Sequence, residues 1–341
     1  QNWDGGFPFW KRGMESWPFL SVHVANALVL AKQKGFTVPP DMLQRSQYYL
    51  QNIEQYYPWY YTEEVKRTIT SYALYVRKKM GEKDLARAKG IYKEAGAADK
   101  LSMEAVGWLL GVMAGEAGAA DERKALLRHL DNKATETAAA ANWSYAYSDG
   151  AYLLLHSDRR VDAIVLESLM QEARDNDLIP KVVTGLLAHK KAGKWLNTQE
   201  NVFVLMALDR YFDEYEKVTP DFVARVWLGD GYAGDHEFKG RQTDRFQLDI
   251  PRQHVAGMEG GKGDLVIQKD GQGRLYYRVG MSYAPADLKL APADHGFVVA
   301  RRYEAVDDPA DVSRDQDGTW RVKAGARVRV RLTMIAESRR Y

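Results

Sequence analysis

The stretch that decides the fold of the first half reads GKWLNTQENVFVLMAL and occupies residues 193–208. Asn197 followed by Glu200 fits a capping box, and Thr198 is a second candidate for the cap. Apolar residues then recur at intervals of three and four, at Val202, Leu205, Met206 and Leu208. This spacing predicts a helix that begins near Thr198 and buries one face. A ligand-binding loop is the alternative for this stretch, but capping alone accounts for its polar residues.

The same kind of opening recurs upstream, so the first half contains a loose internal repeat. A small or polar residue precedes an apolar run at 21–25, 70–74, 102–106, 162–166 and 198–202. The intervals are uneven, roughly 30–50 residues, which is the length of a helical hairpin. Residues 1 to about 217 are therefore predicted to form helical hairpins, stacked either as an open solenoid or as a closed α/α toroid.

The period of the apolar pattern changes after Val218. Runs with the character of strands lie at 222–228, 275–279, 296–300 and 327–332, and turns rich in Gly and Asp separate them at 260–263, 270–271 and 317–318. In the last run Val328, Val330 and Leu332 alternate with three arginines. This alternation predicts a half-buried antiparallel strand with a solvated arginine face.

The composition limits the classes of function. The chain of 341 residues has 48 basic and 46 acidic side chains and a net charge of +2, which gives no sign of a nucleic-acid-binding surface. Cysteine is absent, which excludes disulfides, thiolate metal sites and cysteine nucleophiles within the chain. The chain begins at Gln1 without an initiator Met or a signal peptide, which we expect of a segment cut from a longer protein.

The residues that most often carry catalysis or bind metals show no suitable arrangement. The seven histidines, at 23, 129, 156, 189, 236, 254 and 295, have no metal-binding spacing. Neighbouring carboxylates such as Glu63 and Glu64 need not face one another as an acid and a base. The sequence therefore predicts a protein that is not an enzyme, with no catalytic residues, no metal and no cofactor.

Several segments go beyond composition and carry a family resemblance. They are, in chain order, DGGFPFW (4–10), SWPFLS (16–21), TGLL (184–187), GKWLNTQEN (193–201), GRLYY (273–277), GFVVARRY (296–303) and VKAG (322–325). In this order and spacing they resemble the thioester domain, the β-domain after it and the start of the receptor-binding domain of bacterial α2-macroglobulins. The resemblance extends over nearly the whole chain.

The resemblance implies a multidomain α + β fold with an α/α toroid followed by antiparallel β-sandwich domains. The toroid would occupy residues 1–217, the second part of a CUB-like β-domain 218–285, and a receptor-binding β-sandwich 286–341. This last domain is expected to be incomplete, because a sandwich needs about seven strands. Together with the repeat, the resemblance predicts a closed toroid without any β-sheet, whose inner helices start near Pro18, Thr68, Ser102, Asp162 and Thr198.

The resemblance also implies a function. Members of the family are broad-spectrum inhibitors that trap proteases after cleavage of a bait region, and in many of them a Cys-x-x-Gln thioester captures the protease covalently. That motif lies upstream of the DGGF segment, so either the chain begins after it or the parent protein lacks it. The expected partners are proteases and other domains of the same protein. The expected location is the periplasm, with a lipoprotein anchor in the inner membrane as one form.

Aromatic residues are concentrated at 56–61, in the run YYPWYY. Aromatic side chains are enriched at interfaces, and an exposed apolar patch usually indicates a partner. A surface that binds sugars is the alternative. We expect an interdomain surface, opened on activation, formed by Trp3, Trp10, Tyr56, Tyr57, Trp59, Tyr60 and Tyr61.

Two other functions fit a helical toroid. Polysaccharide lyases combine a toroid with β-sandwiches, and their sites use Asn, His, Tyr and Arg. A cleft could be formed by Asn142, Trp143, Ser144, Tyr145 and Tyr147, but no His is placed with them. The remaining possibility is a scaffold without trapping activity.

Overall fold

The computed structural model describes residues 1–144, 149–241, 246–251, 253–254, 263–284 and 298–335. The chain divides into two compact units, Gln1–Arg278 and Val279–Tyr341, and each has its own architecture. Tyr145 and Tyr147 of the alternative cleft lie outside the described residues, as do the turn at 260–262 and the start of the predicted strand at 296–300.

The first unit is mainly helical. Its described residues form nine α-helices: α1 (Pro18–Gln33), α2 (Pro40–Gln51), α3 (Glu63–Lys79), α4 (Leu85–Ala95), α5 (Met103–Met113), α6 (Ala120–Lys133), α7 (Asp158–Glu172), α8 (Leu178–Ala188) and α9 (Thr198–Tyr215). All residues of α5 are buried, and most of α3 and α7 are too, whereas α4 and α6 bury one narrow stripe each. The helices therefore alternate between an inner and an outer layer.

The inner layer consists of α1, α3, α5, α7 and α9, and each packs against the next. The first of these helices also meets the last. The ring of His23 in α1 lies 5.4 Å from that of Phe203 in α9, and Lys34 pairs with Asp209 at 3.0 Å. This contact brings the first and last inner helices together, as the predicted closed toroid requires, and the toroid itself stays a prediction.

The predicted starts of the inner helices at Pro18, Ser102 and Thr198 are confirmed. Ser102 caps its helix by accepting a hydrogen bond from the backbone N–H three residues further on. Asn197 does the same for α9. These caps satisfy N–H groups that have no partner within the first turn of a helix.

The other two predicted starts are wrong by about one turn. The helix α3 begins at Glu63 rather than near Thr68, because Thr62 is the capping residue. The helix α7 begins at Asp158 rather than near Asp162. The buried carboxylate of Asp162 accepts a backbone N–H from the preceding loop instead of capping its own helix.

A short hairpin interrupts the helical half, so the prediction that this half contains no β-sheet is wrong. The strands β1 (Thr135–Glu136) and β2 (Ala141–Asn142) pair antiparallel between α6 and α7. The hydroxyl of Thr137 closes the turn by accepting the N–H of Ala140 at 3.0 Å. Strands of two residues are too short to produce a period in the sequence.

The change from helix to strand falls between the end of α9 at Tyr215 and Asp221. In the sheet that follows, the central strand β3 (Asp221–Leu228) pairs antiparallel with β4 (Gly231–Lys239) and β5 (Leu265–Gln272). The predicted strand at 222–228 is thus confirmed. The predicted strand at 275–279 is wrong, because this stretch forms no ladder and the Tyr276 hydroxyl donates to Glu216 after α9.

The second unit contains antiparallel pairs of strands. In its described residues β6 (Val298–Ala305) pairs with β9 (Val328–Ile335), and β7 (Val312–Arg314) pairs with β8 (Trp320–Val322). The predicted strand at 327–332 is present as β9, but it is not half-buried, since Leu332 is 64% exposed. A sheet of two strands does not bury its own faces. The β-sandwich and the bounds of the three domains stay predictions.

Candidate interdomain surface

The N-termini of the inner helices lie at one end of the first unit. Trp17, which precedes α1, donates its indole N–H to the carbonyl of Leu153, shortly before α7. Thr68 in the second turn of α3 shares a hydrogen bond of 2.7 Å with Ser102, the cap of α5. These contacts between helix starts require parallel inner helices, and they define the end where the loops with the aromatic residues lie.

The DGG segment forms a tight turn packed against α2. Gly5 has a φ of +89°, and a Cβ at this position would lie 2.2 Å from the carbonyl oxygen of Arg45. Asp4 accepts the N–H of Gly6 at 2.9 Å and the hydroxyl of Ser16 at 3.0 Å. The motif is therefore explained by close backbone packing, which only glycine permits here.

Three of the predicted surface residues are packed into the molecule. Tyr61 is buried, and burial raises its pKa. Tyr57 shares a hydrogen bond of 2.8 Å with Thr70, while burial raises the pKa of Tyr57 well above the ordinary range. Tyr56 stacks on the buried Tyr49 with ring centroids 4.2 Å apart. These tyrosines form the base beneath the surface rather than the surface itself.

The other four predicted residues are exposed. Trp3, Trp10 and Trp59 are 93%, 80% and 92% exposed, and Tyr60 is half-exposed. Two further aromatic residues at the same end, Phe9 and Tyr152, are exposed and were not predicted. Phe9 lies within the DGGFPFW motif and Tyr152 lies far away in sequence, so only Phe9 could have been identified from the quoted segments.

These side chains form two groups. In the first, Phe9 contacts Trp10 at 4.9 Å and Trp17 at 5.2 Å. In the second, Tyr60 contacts Trp59 at 5.9 Å and Tyr61 at 5.3 Å. We use the name aromatic rim for the exposed residues Phe9, Trp10, Trp59, Tyr60 and Tyr152.

A network of buried ionisable groups lies among the helix starts. Arg160 in α7 is fully buried and pairs with Glu104 in α5. Asp162 pairs with Arg159 at 2.9 Å, and burial raises the pKa of Asp162 to about 7. Burial, followed by the charge of Arg160, lowers the pKa of His23 to about 4. Buried ions of this kind require partners, so the network fixes how the inner helices meet.

The stretch at 193–201 acts as a packed helix start rather than as an exposed loop. Trp195 is buried and donates its indole N–H to the carbonyl of Leu186 at 2.8 Å. The amide of Asn201 donates to the carbonyl of Trp195 and accepts its N–H. These contacts account for the conspicuous Trp and Asn by packing and capping alone.

The other candidate sites take structural positions in the part of the chain that is described. Trp143 is buried and donates its indole N–H to the carbonyl of Leu130, so it belongs to the core and not to a cleft. Within the described ranges no group of three or more His, Asp or Glu side chains could hold a metal ion. No helix among those residues is long and apolar enough to cross a bilayer.

Comparisons with known proteins bear on this fold. No protein-family model matches the chain. The chain is 27% identical over 284 residues to the "Alpha-2-macroglobulin homolog" of Nostoc sp. (strain PCC 7120), a match that covers 82% of this chain and 14% of that protein. It is 22% identical over 419 residues to "Circularly permutated Ras protein 2" of Dictyostelium discoideum, covering 100% of this chain and 10% of that protein. The chain thus spans only a small part of either relative, and it has no P-loop motif.

Two solved structures of the Escherichia coli alpha-2-macroglobulin share the fold. The trypsin-activated protein matches with a TM-score of 0.56 and 18% identity, over 89% of this chain and 19% of that chain. The protein activated by porcine elastase matches with a TM-score of 0.55 and 18% identity, over 99% of this chain and 27% of that chain. At these identities the likeness concerns the fold alone.

The fold defines the class of protein: a mixed α and β protein in which helical hairpins precede small antiparallel sheets. The matched part of the bacterial α2-macroglobulin has the same fold. The relative in Nostoc carries the same resemblance in sequence over most of the chain. The predicted resemblance to the α2-macroglobulins is confirmed by this relative, and the solved structures share the fold.

Proposed function

We propose that the chain is part of a broad-spectrum protease inhibitor, which traps proteases after cleavage of a bait region elsewhere in the same protein. The similarity to the Nostoc homolog over 82% of the chain carries this proposal. The fold shared with E. coli proteins that trypsin and elastase activate supports it. In this function the chain acts by changing its contacts and not by turnover, so it needs no cofactor, metal or nucleic acid.

The aromatic rim is proposed as the surface on which another domain of the protein packs until activation. Trp10 and Trp59 are almost fully exposed although tyrosines and tryptophans bury large apolar areas when they find a partner. Covering one such side chain completely contributes about 1.5–3 kcal/mol. A partner domain that covers several of them is therefore held firmly, and a cleavage that strains this contact releases it.

The test is oxidative labelling of the full-length protein before and after treatment with a protease such as trypsin. We expect Trp10, Trp59 and Tyr60 to be protected before cleavage and labelled several-fold faster afterwards. Equal labelling in both states would remove the rim from the mechanism. Trapping itself is measured as inhibition of the protease, that is, as slower cleavage of a large protein substrate.

A matched pair of variants separates the rim from other exposed aromatic residues. Trp59→Ala should weaken the packing of the partner domain and expose Tyr60 before cleavage. Phe36→Ala is the control, because Phe36 is 70% exposed but follows the C-terminal end of α1. If both variants have the same effect, the rim has no special part in holding the protein shut.

The proposed compartment is the periplasm, with a lipoprotein anchor in the inner membrane as the form to test. The absence of cysteine is compatible with export and does not require it. Cell fractionation of the full-length protein, with and without release of the outer membrane, tests the location. Recovery with the cytoplasmic markers would contradict it.

A further inference from the structure

The two groups of the aromatic rim are joined by one short turn, Ala151–Leu154, which precedes α7. On one side, Trp17 of the first group donates its indole N–H to the carbonyl of Leu153 at 3.4 Å. On the other side, a Cβ at Gly150, which precedes the turn, would lie 3.6 Å from Oγ1 of Thr62, next to Tyr61 of the second group. The turn that carries Tyr152 therefore lies between the two groups.

The turn ends in strained backbone. Leu155 has a φ of +48°, in the left-handed region that a residue with a β-carbon rarely adopts. Such a conformation persists only where the surrounding structure holds it in place. The contacts that hold this turn must therefore be strong and specific, and they come from inside the helical layer.

Arg160 provides them. Its Nη1 donates to the carbonyl of Leu154 and, at 2.9 Å, to that of Leu155. Its Nε donates to Glu104 of α5 at 2.8 Å, and the guanidinium lies 5.1 Å from the ring of Phe19 in α1. One fully buried side chain of α7 thus connects two other inner helices to the turn that carries Tyr152.

We propose that Arg160 is a positioning residue for the aromatic rim: it holds the turn at 151–155 in the conformation that makes the rim one continuous surface. This role rests on the function proposed for the rim, but the order of the turn depends on no partner. A buried ion pair alone adds little to stability, because desolvation offsets the attraction. Only a guanidinium has enough donors in one plane to bind a carboxylate and two carbonyls together.

The test compares Arg160→Lys with Arg77→Lys in the full chain. Arg77 is a matched control, because it is also buried and pairs with Glu82 and Asp84, at the C-terminal end of α3. The chain has no cysteine, so Tyr152→Cys gives each variant a unique spin-labelling position on the turn.

In Arg160→Lys the turn loses hydrogen bonds, so we expect hydrogen exchange at its backbone amides to become about tenfold faster. We also expect the spin label to become more mobile. Arg77→Lys should change neither. Unchanged exchange and label mobility in Arg160→Lys would overturn the inference, as would equal changes in both variants. Should Arg160→Lys fail to fold, Glu104→Gln is the milder variant, and it must loosen the same amides or the inference is lost.

Labelling of the full-length protein then separates this inference from the proposed function. If Trp59→Ala releases the partner domain and Arg160→Lys does not, Arg160 does not position the rim, although the rim stays the docking surface. If Arg160→Lys loosens the turn while the rim is equally exposed before and after protease treatment, Arg160 orders the turn as inferred and the proposed function of the rim fails.

Discussion

Replacing His23 by Gln should remove much of the sensitivity of the protein to mild acid. The imidazole stacks against Phe203 and shares a hydrogen bond of 3.1 Å with the hydroxyl of Tyr72. Burial, followed by the charge of Arg160, lowers its pKa to about 4. The folded protein therefore keeps His23 neutral at pH values where an exposed histidine, with a pKa of about 6.5, already binds a proton.

The sign of the effect follows from proton binding by the unfolded chain. Below about pH 6.5 the unfolded chain binds a proton at His23 that the folded chain excludes, so the free energy of unfolding falls with pH. One pKa unit corresponds to about 1.36 kcal/mol. A shift from 6.5 to about 4 costs about 2 kcal/mol between about pH 7 and about pH 5. The loss is nearly complete at about pH 4, where it reaches about 3 kcal/mol.

The assay is urea unfolding at about pH 7 and about pH 5, followed by circular dichroism. Between these two pH values the parent should lose about 2 kcal/mol more than His23→Gln, in which the amide does not titrate. Tyr72→Phe is the control, because it removes the hydrogen bond and should leave the pH dependence in place. If the parent and His23→Gln depend equally on pH, the argument from burial is refuted.

Three other substitutions test features of the same helical layer. Burial raises the pKa of Asp162 to about 7, so its contribution to the free energy of unfolding is present below its usual pKa and is lost as the pH rises through about 7. Asp162→Asn should reduce this loss, measured by urea unfolding between about pH 5 and about pH 8. An unchanged dependence on pH would contradict the pKa shift. Ser102→Ala should cost about 1–2 kcal/mol in the same assay, because the hydroxyl caps α5 and also bonds Thr68; a loss near zero would show that water replaces the cap. Gly150→Ala should lower the melting temperature, since a Cβ there would lie 2.2 Å from Cγ2 of Val65. Adding Val65→Ala to this variant should recover part of the loss, and no recovery would show that the two side chains do not clash.

The starts of helices could be predicted wherever the capping residue also opens the apolar run, as Ser102 and Asn197 do. The start of α3 could not, because Thr62 and Thr68 both resemble caps and the helix is buried on nearly every side from Thr68 onward. Periodicity marks a boundary only when one face of the helix is polar. The alternation at 327–332 likewise identified a strand but not its burial, which depends on a second layer of structure.

The candidate surface could be located from composition but not resolved into its parts. The run at 56–61 has no period, so nothing in it separates Tyr57, which bonds Thr70 in α3, from the exposed Trp59. Tyr152 and Arg160 were missed because they join the site only through the folding of distant segments. A signal for Arg160 existed, since RRVD at 159–162 places two arginines and an aspartate at the start of an otherwise apolar helix.

The meeting of α1 and α9 dictates an order of assembly during translation. Lys34 and Asp209 lie 175 positions apart, so their contact closes a very long loop, which is slow and costly in chain entropy. The helices up to α7 can pack pairwise with their neighbours as they leave the ribosome. The side of α1 that carries His23 stays open to water until α9 has been synthesised. A nascent chain stalled before Thr198 therefore exposes this side of α1, and chaperones that bind apolar segments have their longest opportunity there.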